Sequence, residues 1–292
     1  MAVVCNPEWR TATWAFYRYV PSVAAAVIFC LLFLASTILH LFQMWKTKAR
    51  FLTALVVGCL LEFIGYAART GSARQEPGCW RMMPYIIQSV YILLGPSLFA
   101  ASIYMMLGRI VRLTDGEYHI MIKQRWLTKT FVTGDIVCLC MQAGGGGLMG
   151  ASRNSPSLAD IGNGVIVASL VLQLLWFAFF CVVAAVFHRR MKLVPTNASM
   201  QPGIRWETYL HTLYFVSTLI MIRSLFRVIE YIQGNKGYLL TTEAFLYVFD
   251  AVPMYIVVVC LHWKHPGELA VLLRGGIPET NGFKLVSYWS KM

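Results

Sequence analysis

The stretch VPSVAAAVIFCLLFLASTILHLFQM, Val20 to Met44, is apolar along its length and contains no Lys, Arg, Asp or Glu. A helix needs roughly 17–25 mostly apolar residues to cross a bilayer. Six later stretches have the same character: Phe51–Ala68, Tyr85–Gly108, Leu127–Met149, Gly164–Phe187, Thr208–Ile229 and Glu243–Trp263. Because a backbone in lipid must satisfy its own hydrogen bonds, such runs form helices. We therefore predict an all-α, polytopic membrane protein, a bundle of seven transmembrane helices.

The composition excludes a soluble globular protein. Hydrophobic residues make up 58% of the chain, charged residues 13%, and mean hydropathy is +0.61. The spans leave room for one domain, residues 20–265, with an N-terminal tail of residues 1–19 and a C-terminal tail of residues 266–292. The net charge of +12 lies mainly in the connections, where Lys and Arg meet anionic lipid headgroups. Membrane lipids are thus the expected partners and nucleic acid is not. The sequence does not identify a protein partner.

The connections also predict the orientation. The connections and the tail on one side of the membrane carry 16 Lys and Arg residues, and those on the other side carry 7. The positive-inside rule then places the N-terminus outside and the C-terminus in the cytoplasm. We expect the first span to be retained, since it is too long for a signal-peptide core. The tail from about Pro266 is expected to lie loosely on the membrane surface.

Two cysteines, Cys5 and Cys79, lie outside the spans, and both fall on the predicted outer face. A disulfide between them and a pair of free thiols are both compatible with the sequence. The other six fall within spans, where a thiol behaves as a small hydrophobic group.

Polar residues inside the spans recur at helical spacing, so that each set lies on one face of its helix. The sets are Glu62 with Arg69, Asp135 with Gln142, Glu243 with Asp250, and Arg223 with Arg227 and Glu230. Charged groups avoid lipid and face the interior of a bundle. From their depth, we expect all but Asp135 to occupy the outer half of the bundle, around a hydrated cavity.

The charges in this cluster do not balance, since five acids face three arginines. The site would then hold protons or host a cation, such as the ammonium head group of a ligand with a long apolar tail. The alternative is a closed ion-pair network that only fixes the packing of the helices.

Other sites have weaker support. The glycine run Gly144–Gly147 lacks the Lys-Ser/Thr that a phosphate loop requires, and no serine nucleophile motif is present. Five histidines gather near cytoplasmic helix ends: His40, His188, His211, His262 and His265. Several histidines at one level could bind zinc, but histidines at helix ends near the membrane–water interface are the simpler interpretation. We therefore expect no metal, no cofactor and no enzymatic activity.

The chain resembles the fungal lipid-translocating exporter family, RTA-like proteins of seven helices. The resemblance runs from Tyr19-Val-Pro21 to His265-Pro266-Gly267 and rests on many short matches in order. They are His40, Glu62-Phe-Ile-Gly65-Tyr66 with Arg69, Gln88, Pro96, Tyr104, Arg109, Asp135, Gln142-Ala-Gly-Gly-Gly, Arg223, Phe226-Arg227, Glu230, Gly234, Gly237, Glu243, Tyr247 and Phe249-Asp250.

This resemblance implies a multi-pass protein, commonly of the fungal plasma membrane, that exports amphipathic lipids and confers resistance to toxic ones. A sphingoid long-chain base or a sterol-like amphiphile would be the substrate. The expected binding residues are the ten candidates Glu62, Tyr66, Arg69, Asp135, Gln142, Arg223, Arg227, Glu230, Glu243 and Asp250. We expect Glu62 and Asp250 to receive the head group, while Arg223 and Arg227 keep the acids ionised.

Two other classes remain open. Seven helices with an outer N-terminus, and Asp250-Ala-Val-Pro253 in the last span, also suit a receptor or sensor of lipid-like ligands. The third span ends in Leu107-Gly-Arg109 and lacks the acid–arginine pair of G-protein-coupled receptors. An intramembrane metal-dependent hydrolase is the third class, favoured only by the histidines.

Overall fold

The computed structural model describes residues 5, 7–10, 15–151, 156–201, 204–234 and 237–276, without the side chains of residues 150, 151 and 156. None of these residues forms a β-strand. The helices are α1 Val23–Thr47, α2 Thr53–Ala73, α3 Met82–Leu113, α4 Gln124–Ala151, α5 Pro156–Leu193, α6 Trp206–Gln233, α7 Tyr238–Thr241, α8 Glu243–Leu246, α9 Val252–Trp263 and α10 Gly267–Leu272. Seven helical segments are long and apolar enough to cross a membrane, the seventh running from Glu243 to Leu272. The predicted all-α fold with seven spans is confirmed.

Most of the helices extend beyond the predicted spans. The third span, expected over Tyr85–Gly108, belongs to a helix from Met82 to Leu113, and the fifth belongs to a helix from Pro156 to Leu193. Hydropathy detects only the part of a helix that must be apolar. Outside that part, polar residues continue the helix, and hydrophobicity alone does not mark its ends.

Helix α3 is the central element, with contacts to α2, α4, α5, α6 and α10. Its most extensive contact is with α2, where glycines leave room for the neighbouring helix. A Cβ atom on Gly58 would lie 2.7 Å from the ring of Phe99, and one on Gly65 would lie 2.7 Å from Ile92. Small residues let membrane helices approach closely, because packing rather than hydrophobicity holds them together.

The seventh span is not a uniform helix. A π-helical turn, Tyr247–Ala251, connects α8 to α9, and the Val252 N–H donates to the carbonyl of Tyr247. Pro253 follows directly and has no N–H to donate to a preceding carbonyl. The seventh span therefore contains a wide turn that includes Asp250, whereas α3 continues through Pro96.

The structure differs from the expected loose tail directly after Pro266. Residues Gly267–Leu272 form α10, which packs on α1 and α3 with Leu269 fully buried. Glu268 accepts a hydrogen bond from the Tyr209 hydroxyl. Apolar residues such as Leu269 bind this segment to the core, and residues 277–292 lie outside the described part of the chain.

Candidate functional site

Eight of the ten candidate residues lie together at the end of the bundle that carries the N-terminal segment, here called the N-terminal face. Helix α2 contributes residues from its middle to its last turn, α6 contributes its last three turns, and the seventh span contributes its first turns. The eight are Glu62, Tyr66, Arg69, Arg223, Arg227, Glu230, Glu243 and Asp250. The helical spacing thus brings these sets to one region of the interior, as expected for polar residues in lipid.

The first network joins α6 to the seventh span. Arg223 Nε donates to Asp250 Oδ1 at 2.6 Å, and its Nη2 donates to the carbonyl of Ile92 at 2.9 Å. Arg227 donates to Asp250 Oδ2 and, through Nη1 at 2.8 Å, to Glu230 Oε2. Both oxygens of Asp250 are therefore bonded to arginines, which offsets the cost of burying its charge.

The second network joins α2 to the start of the seventh span. Arg69 Nη2 donates to Glu243 Oε1 at 2.7 Å and to the Tyr19 hydroxyl at 2.9 Å. Arg69 Nε donates to the Tyr247 hydroxyl at 3.0 Å. Glu243 also accepts from the backbone N–H of Ser22, just before α1. This network therefore fixes the entry of α1 against α2 and α8.

Aromatic residues from the N-terminal segment cover the second network. Trp9 and Tyr17 pack edge-on against Trp80, and Tyr17 packs against Tyr85 in the same way. The Tyr17 hydroxyl donates to Gln88 Oε1 at 2.8 Å, and burial raises the pKa of Tyr17 to about 12. The hydroxyl therefore stays protonated as a hydrogen-bond donor at physiological pH.

The cysteine pair lies at the same place. Cys5, in the N-terminal segment, forms a disulfide with Cys79 in the connection between α2 and α3. The bond ties the aromatic cover to the bundle.

Glu62 lies near the first network but is not part of it. Its side chain packs against the backbone of Gly95, where a Cβ atom would lie 2.6 Å from Glu62 Oε1. The charges of Asp250, Arg223 and Arg227 act on it, yet in the described structure Glu62 makes no ion pair, and its buried Oε1 has no hydrogen-bond partner. A buried polar atom without a partner is uncommon in proteins and costs stability.

Tyr66, one turn away on α2, shares this environment. It is fully buried between Phe29 and Phe33, and its hydroxyl has no hydrogen-bond partner among the described residues. Two buried polar atoms, Glu62 Oε1 and the Tyr66 hydroxyl oxygen, therefore have no hydrogen-bond partner among the described residues.

The ion pairs show which acids are in excess. Three arginines, Arg69, Arg223 and Arg227, are paired with three acids, Glu230, Glu243 and Asp250. Within the described part of the chain, the remaining acids Glu62 and Asp135 form no ion pair. The three arginines and their three acids match the alternative stated for the sequence, a closed ion-pair network that fixes helix packing. Glu62 and Asp135 lie outside this network.

Asp135 and Gln142 lie apart from the other eight candidates. Asp135 of α4 lies beside Tyr104, and Gln142 donates to Gln173 Oε1 at 3.0 Å. Gln173 in turn donates to Ser97 at 3.0 Å. The α4 face predicted to join the cluster is directed instead at α3 and α5, the two long helices that α4 contacts.

We expected these side chains to surround a hydrated cavity. In the described residues they instead pack against one another and are largely buried. Arg69, Asp250, Arg223 and Glu62 are buried, and the most exposed side chains in the two networks are Arg227 at 13% and Glu243 at 15%. The short ion pairs offset part of the cost of burying these charges. Asp250 is also not free to receive a head group, since both of its oxygens are bonded.

The histidines form two groups near the opposite end. His40 stacks on His262 with ring centroids 3.5 Å apart, and His265 lies 6.0 Å from His40. The second group pairs His188 with His211. Within the described residues, no group of three His, Cys, Asp or Glu side chains is arranged to hold a metal ion. Parallel stacking places the imidazole faces together, whereas zinc ligands direct ring nitrogens at one point.

Several residues that hydrogen-bond to the candidates, or that cover them, were not among the ten candidates. Tyr19, Tyr247 and Gln88 are contained in the resemblance, which was the signal that could have found them. Gln173 and Ser97 are neutral residues within apolar runs, and their partners become visible only when helices α3, α4 and α5 are placed together.

Comparison with known proteins gives a consistent result. The family described as "RTA1 like protein" matches residues 55–271. Among curated relatives in Saccharomyces cerevisiae, Protoporphyrin uptake protein 1 is 33% identical over 281 residues, covering 83% of this chain and 89% of that protein. Protein RTA1 is 32% identical, covering 83% and 82%. Sphingoid long-chain base transporter RSB1 is 25% identical, covering 84% and 71%. No solved structure matches the chain.

Proposed function

This chain belongs to the RTA1-like family, and on that premise we propose that it moves amphipathic lipids across a fungal plasma membrane. The coarser statement, a multi-pass membrane protein with a lipid-related role, follows from its seven spans and its relatives. The finer proposal is export of a sphingoid long-chain base or a sterol-like amphiphile, which confers resistance to toxic lipids.

One observation carries this proposal: Glu62 is a buried acid without an ion-pair partner beside a balanced network. An ammonium head group would supply the missing cation and donate hydrogen bonds to Oε1. Among the acids near Asp250, Glu62 needs no existing ion pair to be broken first. We therefore assign it as the primary head-group ligand, with Asp250 as a second position reached only after an arginine moves.

The relatives support the same class of substrate. One carries the name sphingoid long-chain base transporter, and a sphingoid base combines a single ammonium with a long apolar chain. Such a molecule satisfies Glu62 at its head, while its tail lies between helices. Because the sequence contains no phosphate-loop motif, movement would run down a gradient or be coupled to an ion.

The test compares two variants in reconstituted vesicles. Glu62→Gln keeps the shape of the side chain and removes its charge, so flux of a labelled long-chain base should fall by about tenfold or more. Glu207→Gln removes an acid whose side chain is 47% exposed at the opposite end of the bundle and should leave flux unchanged. Both proteins should elute and melt as the unmodified protein does. Full flux in Glu62→Gln would reject the assignment.

A lipid sensor is the second candidate, favoured by the closed packing of the ion pairs. A sensor needs a binding site that changes conformation, but it needs no continuous path through the bundle. Absence of flux from vesicles containing the unmodified protein, together with a rise in its melting temperature on adding the base, would support the sensor. Flux without any partner protein supports transport.

A further inference from the structure

A groove at the end opposite the N-terminal face is not used by the proposed lipid transport. It lies between the end of α5 and the first half of α6 and has a volume of about 480 Å³. Its lining residues are Ala185, His188, Arg189, Lys192, Leu193 and Tyr214. This end also carries the basic connections that the positive-inside rule assigns to the cytoplasm.

The groove is positively charged. Arg189 is exposed and takes part in no ion pair within the described structure. Lys192 lies 3.8 Å from Glu207, a distance at which exposed partners interact weakly. The two basic side chains thus retain a net attraction for an anion.

A fixed imidazole forms part of the wall. The Tyr214 hydroxyl has one hydrogen, which it donates to the carbonyl of Ala184 at 3.2 Å. Tyr214 therefore accepts from His188 Nδ1 at 3.2 Å, and this assigns the proton of a neutral ring to Nδ1. The edge of His188 also packs against Trp206. An aromatic wall of this kind is typical of the membrane–water interface.

The rest of the groove is apolar and continues toward the lipid-facing surface. Ala185 is exposed, Leu193 is 72% exposed, and Val182, one turn deeper on α5, is 52% exposed. An apolar surface beside a basic one suits a molecule that carries an anionic head and an acyl chain. Free phosphate would use only the basic part.

We infer that this groove binds the anionic head group of a membrane phospholipid, with Arg189 and Lys192 at the phosphate and an acyl chain along Ala185 and Val182. Basic pockets between helices on the cytoplasmic side have the chemistry that anionic lipid heads require. The site is separate from Glu62, so it would bind a resident lipid of the adjoining leaflet rather than the transported one.

The experiment measures lipid binding to the purified full-length chain in detergent by native mass spectrometry. The probes are dioleoyl phosphatidylserine, dioleoyl phosphatidylcholine and glycerophosphoserine, which has the head group without chains. We expect phosphatidylserine to bind about tenfold more tightly than phosphatidylcholine. The double variant Arg189→Gln with Lys192→Gln should lose this preference.

A matched double variant provides the control. Lys123→Gln with Arg125→Gln removes the same charge from positions on the same face, outside the groove, and should keep the preference. Ala185→Trp fills the groove without changing its charge and should abolish the preference. Three outcomes would overturn the inference: equal binding of the two lipids to the unmodified chain, equal loss in both double variants, or equal affinity for glycerophosphoserine and phosphatidylserine.

Discussion

The absent side chain at Gly95 leaves the space that the Glu62 carboxylate occupies. A Cβ atom at this position would lie 2.6 Å from Glu62 Oε1 and 2.9 Å from its Cγ. Gly95 also precedes Pro96 inside α3, where a side chain would crowd the proline ring. Gly95→Ala should therefore displace Glu62 and destabilise the protein by about 1–3 kcal/mol, measured as unfolding in mixed micelles.

Gly146→Ala is the matched control for that substitution. Gly146 lies in α4, and a Cβ atom added there would meet nothing within 4 Å. Alanine at this position should therefore be neutral or stabilise the helix by up to about 1 kcal/mol. Equal stability of the two variants would show that the α2–α3 seam tolerates a larger residue and that Glu62 is not held by close packing.

Spacing along the sequence predicted which polar residues share a helix face, but not which acids are paired. Glu62 and Arg69 are on one face of α2, yet Arg69 pairs with Glu243 of another helix. Pairing depends on the axial offset between helices, and apolar periodicity within one helix contains no information about that offset. The sequence predicted that two acids would be in excess. It did not predict that these two would be Glu62 and Asp135.

Among the helices, the junction of α6 with the seventh span depends most on a single residue. Asp250 lies in the π-helical turn before Pro253, and both arginines of α6 converge on it. Asp250→Asn would leave the buried Arg223 without its counter-charge and Arg227 with Glu230 alone, at a cost of about 3–5 kcal/mol. The expected result is a large fall in melting temperature for purified protein in detergent.

Glu62→Gln is the control for Asp250→Asn, because it neutralises a neighbouring acid that makes no ion pair. Its melting temperature should stay close to that of the unmodified protein. Similar losses in both variants would show that Glu62 contributes to the network as strongly as Asp250 does, contrary to the pairing described above.

Helix positions were predictable from hydropathy, but the π-helical turn and α10 were not. A π turn inserts one residue into the helical repeat, and neither the hydropathy nor the position of Pro253 reveals that insertion. Helix α10 is short, and its burial comes from tertiary contact with α1 and α3 rather than from a transmembrane length of apolar residues. Tertiary packing, rather than local composition, orders both segments.

The two ends of the molecule carry different kinds of polar residue. Buried ion pairs and an aromatic cover lie at the N-terminal face, while exposed basic side chains and histidines lie at the other. The sequence predicted this asymmetry from depth and charge. It could not predict that the cluster is closed, because closure results from the combined fit of α2, α6 and the seventh span.

The orientation predicted from the basic connections can be tested through the cysteines. If the N-terminal face is outside, reduction of Cys5–Cys79 by a charged phosphine on intact yeast protoplasts should expose two thiols to an impermeant maleimide. The six free cysteines lie within helices at the depth of the spans, so the reagent should not reach them.

Tyr118, which is 93% exposed between α3 and α4, provides a marker for the opposite side of the membrane. Tyr118→Cys should react only after the membrane is permeabilised, because its connection belongs to the basic, cytoplasmic side. Labelling of Tyr118→Cys on intact cells, with Cys5 and Cys79 unreactive after reduction, would reverse the orientation and direct Glu62 toward the cytoplasmic leaflet.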